Sequence, residues 1–132
     1  MAGVTDAEPA GATAGGEGTL EAALAAAPAG AGVPWDLERG DLKWRMAVPT
    51  DGKLPFTNCF PAMIEWQGSA HPAPRLPDHG IRMTGLTLTH PEAEALRSAL
   101  APLITDSRLR VEQGPAPALS VELTGPKGTV RL

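Results

Sequence analysis

Tyrosine is absent from this chain, cysteine occurs once, and aromatic residues make up only 4% of it. A single cysteine, Cys59, excludes an internal disulfide framework and any cysteine-rich zinc site. It fits a reducing cytoplasm, the expected location. Beside Phe60, and with no acid or histidine next to it in sequence, Cys59 reads as a small half-buried hydrophobe. So few aromatics leave the core to Leu, Val, Ile, Met and Ala. No stretch approaches the ~20 apolar residues that span a bilayer. The N-terminus lacks a basic region, and Asp6 and Glu8 break its Ala/Gly run, so it does not read as a secretion signal. Basic residues are also sparse: 11 Lys and Arg stand scattered against 15 Asp and Glu, a net charge of −4. Nucleic acid and anionic membrane are therefore poor partners for this surface.

What is present suits one domain with a modest core. The chain has 132 residues, 42% of them hydrophobic, and its 15 Gly and 14 Pro gather outside the periodic segments. Residues 1–18 are Gly/Ala-rich and read as a flexible arm, with Val4–Glu8 a possible strand remnant. From residue 19 onward a folded domain is expected. Thr19 can cap a helix, Glu21 suits its first turn, and Leu20, Leu24 and Ala27 form a stripe that Pro28 ends.

Strands follow. Val33–Leu37 is one candidate, although Trp35, directly after Pro34, reads by itself as a partly exposed loop residue. In Asp41–Val48, Leu42, Trp44, Met46 and Val48 alternate with Lys43, Arg45 and Ala47. Pro49-Thr50-Asp51-Gly52 is a turn. Phe60–Gln67 is the next strand, with Glu65 on one face. The second half reads as strand (Ile81–Leu88), helix, then three strands at Arg108–Glu112, Leu119–Thr124 and Thr129–Leu132. Thr89 and Glu92 have capping-box spacing, and Leu96, Ala99, Leu100 and Leu103 make the helix's apolar face. His90 is expected to bond backbone at the helix start.

Glu65 is the residue whose position asks for a chemical explanation, because a carboxylate within an apolar strand needs a cation, a donor or water. It can ligate a divalent metal, take a proton from carbon beside a carbonyl, or pair with Arg45 or Arg39 across strands. Trp44 and Trp66 can stack in the core or line a ligand pocket. His71, His79 and His90 have no tight metal-ligand pairing, and both His-Pro steps have a local explanation in extended geometry before proline.

Four segments in order resemble glyoxalase-like domains of the vicinal oxygen chelate superfamily. They are Asp41–Pro49, Phe60–Trp66 with His71-Pro72-Ala73, Gly85–Glu92, and Leu119–Leu132. The resemblance covers roughly residues 19–132. It implies an α+β fold of two βαβββ units, the first truncated, forming a curved, mainly antiparallel sheet with helices outside. It also implies a small-molecule-binding or assembly role, with Trp44, Arg45, Trp66 and His71 as ligand-binding residues. The family's divalent-metal site is not intact: the usual second histidine would fall within Arg82–Gly85 and the closing glutamate near Val130–Leu132. Only Glu65 stands where a metal-binding carboxylate is expected. The alternative is a metal-dependent lyase-, isomerase- or dioxygenase-type enzyme with Glu65 as base or ligand and His71 assisting. An exposed sheet edge further implies a homodimer or a partner chain.

Overall fold

A computed structural model describes residues 19–132. The expected arm and the Val4–Glu8 strand remnant lie outside the described residues. Helix α1 spans Leu20–Ala26. The Thr19 side chain accepts the Ala22 N–H at 3.2 Å, Glu21 lies in the first turn, and the helix ends before Pro28. Strands β1 (Val33–Arg39), β2 (Leu42–Val48) and β3 (Ile64–Trp66) form an antiparallel sheet in that order. Gly32 lets β1 begin hard against the end of β2: its φ is +108°, and a Cβ there would sit 2.5 Å from the Val48 carbonyl carbon.

Two expectations change in this half. Trp35 is on β1, paired with Met46, rather than in a loop. The strand expected from Phe60 starts only at Ile64, because Pro61 has no N–H to donate and the chain before it is wound into a tight turn. Pairing still reaches slightly further, since the Ala47 N–H donates to the Met63 carbonyl and the Gln67 N–H to that of Lys43, both at 2.9 Å.

The second sheet is built on β4 (Arg82–His90), which leads through α2 (Ala93–Leu100) into β5 (Leu109–Gln113), parallel to it. Strand β6 (Ala118–Gly125) pairs antiparallel on its other side, and β7 (Gly128–Arg131) pairs with β6. The strand order is β5-β4-β6-β7. The expected capping box does not form. Pairing with β5 carries β4 through Thr89 to His90, so tertiary structure overrides the local signal. Glu92 becomes the N-cap without a side-chain bond, and His90 Nδ1 accepts the Glu92 N–H at 2.9 Å, as expected of that imidazole.

The order helix–three strands, then strand–helix–three strands, agrees with an α+β pair of units, the first without a leading strand among the described residues. The strands divide into two sheets, and the units pair differently. In the second, the leading strand lies between the next two; in the first, those two pair directly.

One core joins both sheets. Leu20 of α1, Ala47 of β2, Phe60 and Met63 before β3, Leu88 of β4, and Leu96 and Leu100 of α2 pack together. Phe60 and Leu96 are fully buried. Phe60→Ala removes the large side chain at the centre of this cluster and should cost about 3–5 kcal/mol in urea unfolding. Trp35→Ala, at a position 57% exposed, should cost well under half of that.

Candidate ligand-binding site

The residues singled out in the sequence divide between the two faces of the first sheet. Trp44 and Trp66 are cross-strand partners on one face, with ring centroids 5.4 Å apart and planes tilted by 47°. His71 packs edge-on to Trp66 at 5.0 Å, and its Nδ1 accepts the Ala73 N–H at 3.0 Å. Trp35 extends the aromatic surface outward along β1. The Trp44 and Trp66 rings, and those of Trp66 and His71, pack against each other.

Arg45 and Glu65, also partners across β2 and β3, point to the opposite face, where α1 docks. Arg45 meets three carboxylates: Glu21 at 2.5 Å, Asp36 at 3.2 Å and Glu65 at 4.0 Å. The hydrogen bond from Arg45 holds the Glu21 carboxyl below its ordinary pKa. Glu65 Oε2 accepts the Leu20 N–H at 2.6 Å, at the first residue of α1, and Oε1 accepts from Gln67 Nε2 at 3.4 Å. A carboxylate there satisfies a donor that the helix cannot and faces the positive end of its dipole. Of the two arginines weighed for Glu65, Arg45 is the one that meets it.

A different place has the shape of a ligand site. A cavity of about 720 Å³ opens between the end of β2, the segment 54–62, the apolar side of β4 and the start of β6. Met46, Met83, Leu86, Leu88, Leu100, Ile104, Leu109 and Leu119 supply most of its wall. That volume falls within the range of small-molecule pockets. Among the described residues, Asp106 and Arg108 are the only charged ones lining it. They are paired through two bonds, Nε to Oδ1 at 3.0 Å and Nη2 to Oδ2 at 2.6 Å. Arg108 thereby pulls the Asp106 carboxyl down to about 2. Trp44, Arg45, Glu65, Trp66 and His71 are not among the lining residues.

One wall is unusual in its backbone. Phe56, Thr57 and Asn58 have φ of 55°, 55° and 65°, three consecutive non-glycine residues in the left-handed region. Each costs roughly 1–2 kcal/mol, and the excess is larger for β-branched Thr57. Local bonds hold the turn. Asn58 Oδ1 accepts the Leu54 N–H at 2.8 Å, the Asn58 N–H donates to the Leu54 carbonyl at 3.1 Å, and the Phe60 N–H donates to the Pro55 carbonyl at 3.1 Å. The turn sets Thr57, Asn58 and Cys59 along the cavity and drives Phe60 into the core. Burial raises the Cys59 thiol pKa, which suits packing better than nucleophilic chemistry.

A family model described as a glyoxalase-like domain matches residues 4–104, more than half of the chain. The chain belongs to the glyoxalase-like domain family. No curated protein and no solved structure matches it. The match takes in the first sheet, β4 and α2 and stops short of β5.

Among the described residues of this glyoxalase-like chain, the side chains weighed for the superfamily's divalent metal are engaged elsewhere. Glu65 Oε2 and the Nδ1 atoms of His71 and His90 are turned to backbone N–H groups. No group of three His, Cys, Asp or Glu side chains is placed to hold a metal among the described residues. No metal-dependent step is derived from them. Glu65→Ala, by removing the acceptor at the start of α1, should lower stability by about 1 kcal/mol. Hydrogen exchange of the α1 amides should accelerate while that of β4 stays unchanged; equal acceleration in both would remove the anchoring role.

Proposed function

We propose that this glyoxalase-like protein binds an apolar small molecule in the cavity between its two sheets. The observation that carries this reading is the 720 Å³ space itself, walled by aliphatic side chains and provided with one charged corner. Binding sites commonly pair a large apolar wall with a few polar groups. A strained backbone turn along one side adds support, since such strain persists where surrounding structure enforces a required shape. In this reading Glu65 and Arg45 are the anchor of α1, and binding calls for neither as an acid or base.

A second copy of the chain is the proposed partner. Trp35, Trp44 and Trp66 lie on the face of the first sheet away from α1, and β1 is an edge strand with Val33 and Trp35 more than half exposed. Covering such an edge and face is the usual remedy.

Two measurements check these readings. The neutral dye Nile red should brighten on binding the wild-type protein, and Leu119→Trp, a plug at a half-exposed position on the cavity wall, should remove most of that gain without changing the circular dichroism. Brightening that survives the plug would place the dye elsewhere. Sedimentation equilibrium should give a dimer mass at high micromolar concentration that Trp35→Glu reduces to a monomer. A wild-type monomer at that concentration rules out the second copy.

A further inference from the structure

Resting on the cavity reading above, we infer that the ligand is uncharged and carries a hydroxyl or primary amide at its polar end, bound by the Asp106–Arg108 pair. The sign of the cavity's charges leads to this class. A lone arginine in an apolar cavity would call for a carboxylate or phosphate, and a lone aspartate for an amine. Here the two charges lie in one corner and satisfy each other through two side-on bonds. The Arg108 backbone N–H also donates to Asp106 Oδ1 at 2.9 Å, so the loop itself fixes the carboxylate. On its other side, Arg108 Nη1 reaches toward the Met83 carbonyl at 3.5 Å. The corner has no net charge to offer a ligand.

What it does offer is mixed hydrogen bonding. A guanidinium has five N–H donors, of which Arg108 gives two to Asp106, while the carboxylate accepts from the Arg108 backbone N–H, Nε and Nη2 and has about one of its four acceptor sites left. An incoming group that both donates and accepts meets both partners without separating them. A carboxylate meets Arg108 only against repulsion from Asp106, and an ammonium meets Asp106 only against repulsion from Arg108. The pair lies on the open side of the cavity, its side chains 48% and 34% exposed, so the like charge of the second partner, rather than burial, sets an ion at a disadvantage. The low pKa of Asp106 keeps the pair ionised throughout the neutral range, so this selection is not expected to drift between mildly acidic and mildly basic conditions.

Three probes sharing one ring system test this: naphthalenemethanol, naphthoate and naphthalenemethylammonium, each competing with Nile red for the full-length protein at neutral pH. The alcohol should bind at least about tenfold more tightly than either ion. Asp106→Asn should then free Arg108 and raise naphthoate affinity by about tenfold or more, with the ammonium weakened. Naphthoate or the ammonium equalling the alcohol in the wild-type protein overturns the head-group assignment while leaving a cavity that binds apolar molecules. Failure of all three to displace Nile red, or to bind at all, overturns the cavity reading and the assignment with it. The wild-type ranking decides the matter even if Asp106→Asn does not fold.

Discussion

Among the described residues the two sheets of this protein share no strand pairing, so their relative position depends on side-chain packing around Phe60 and Leu96. Backbone hydrogen bonds order each sheet internally, but they do not fix one against the other. That task falls to a cluster drawn from both helices, β2, β4 and the segment before β3. Phe60 is one of only two phenylalanines in the chain and is fully buried in this cluster. A chain so poor in aromatics has little redundancy at such a position. Burial of one large ring contributes a few kcal/mol, a substantial share of the 5–15 kcal/mol by which domains are stable.

The cavity follows from the same arrangement. Leu88 and Leu100 belong both to the shared core and to the cavity wall, so packed interior passes directly into open space. The segment 54–62 makes that transition. Its left-handed turn reverses the chain within a few residues, so Phe60 fills the core while Thr57 and Asn58 stay at the cavity's edge. The strain is local, and the bonds from Asn58 and the carbonyls of Leu54 and Pro55 hold it in place.

Much of the fold was legible because it rests on short-range periodicity. The alternation in Asp41–Val48 gave β2 with its two faces, and the Leu96–Leu100 spacing gave the buried side of α2. Glu65 was legible as an oddity, and Arg45 as one of its two possible partners. The Leu20 amide that Glu65 accepts from was not, because it lies 45 residues away on another element. Thr89 misled for a related reason: its capping spacing is real, but pairing with β5 claims the residue for β4. The cavity was hardest to see. Its wall runs from Met46 to Leu119 with no motif, and no glycine marks the turn at Phe56–Asn58. Asp106 sits in the polar run Thr105-Asp106-Ser107, and nothing in its spacing marks a site.

Two arginine–carboxylate groups in this small protein show why residue chemistry alone could not locate the site. Arg45 gathers Glu21, Asp36 and Glu65 on the face covered by α1, and Leu20 brings its N–H to the same carboxylate. Its charge is outnumbered and its partners come from three elements, so the group acts as a fastener between a helix and a sheet. Arg108 has one carboxylate, two residues away, and the pair stands on the wall of an apolar cavity. The pair is made within one short loop leading into β5, and its reach to another element is the long Arg108 Nη1 contact with the Met83 carbonyl of β4. A pair held mainly by its own loop is free to serve a ligand. Its neutrality then narrows which ligand that is, since a cavity with balanced charge favours a molecule that brings none.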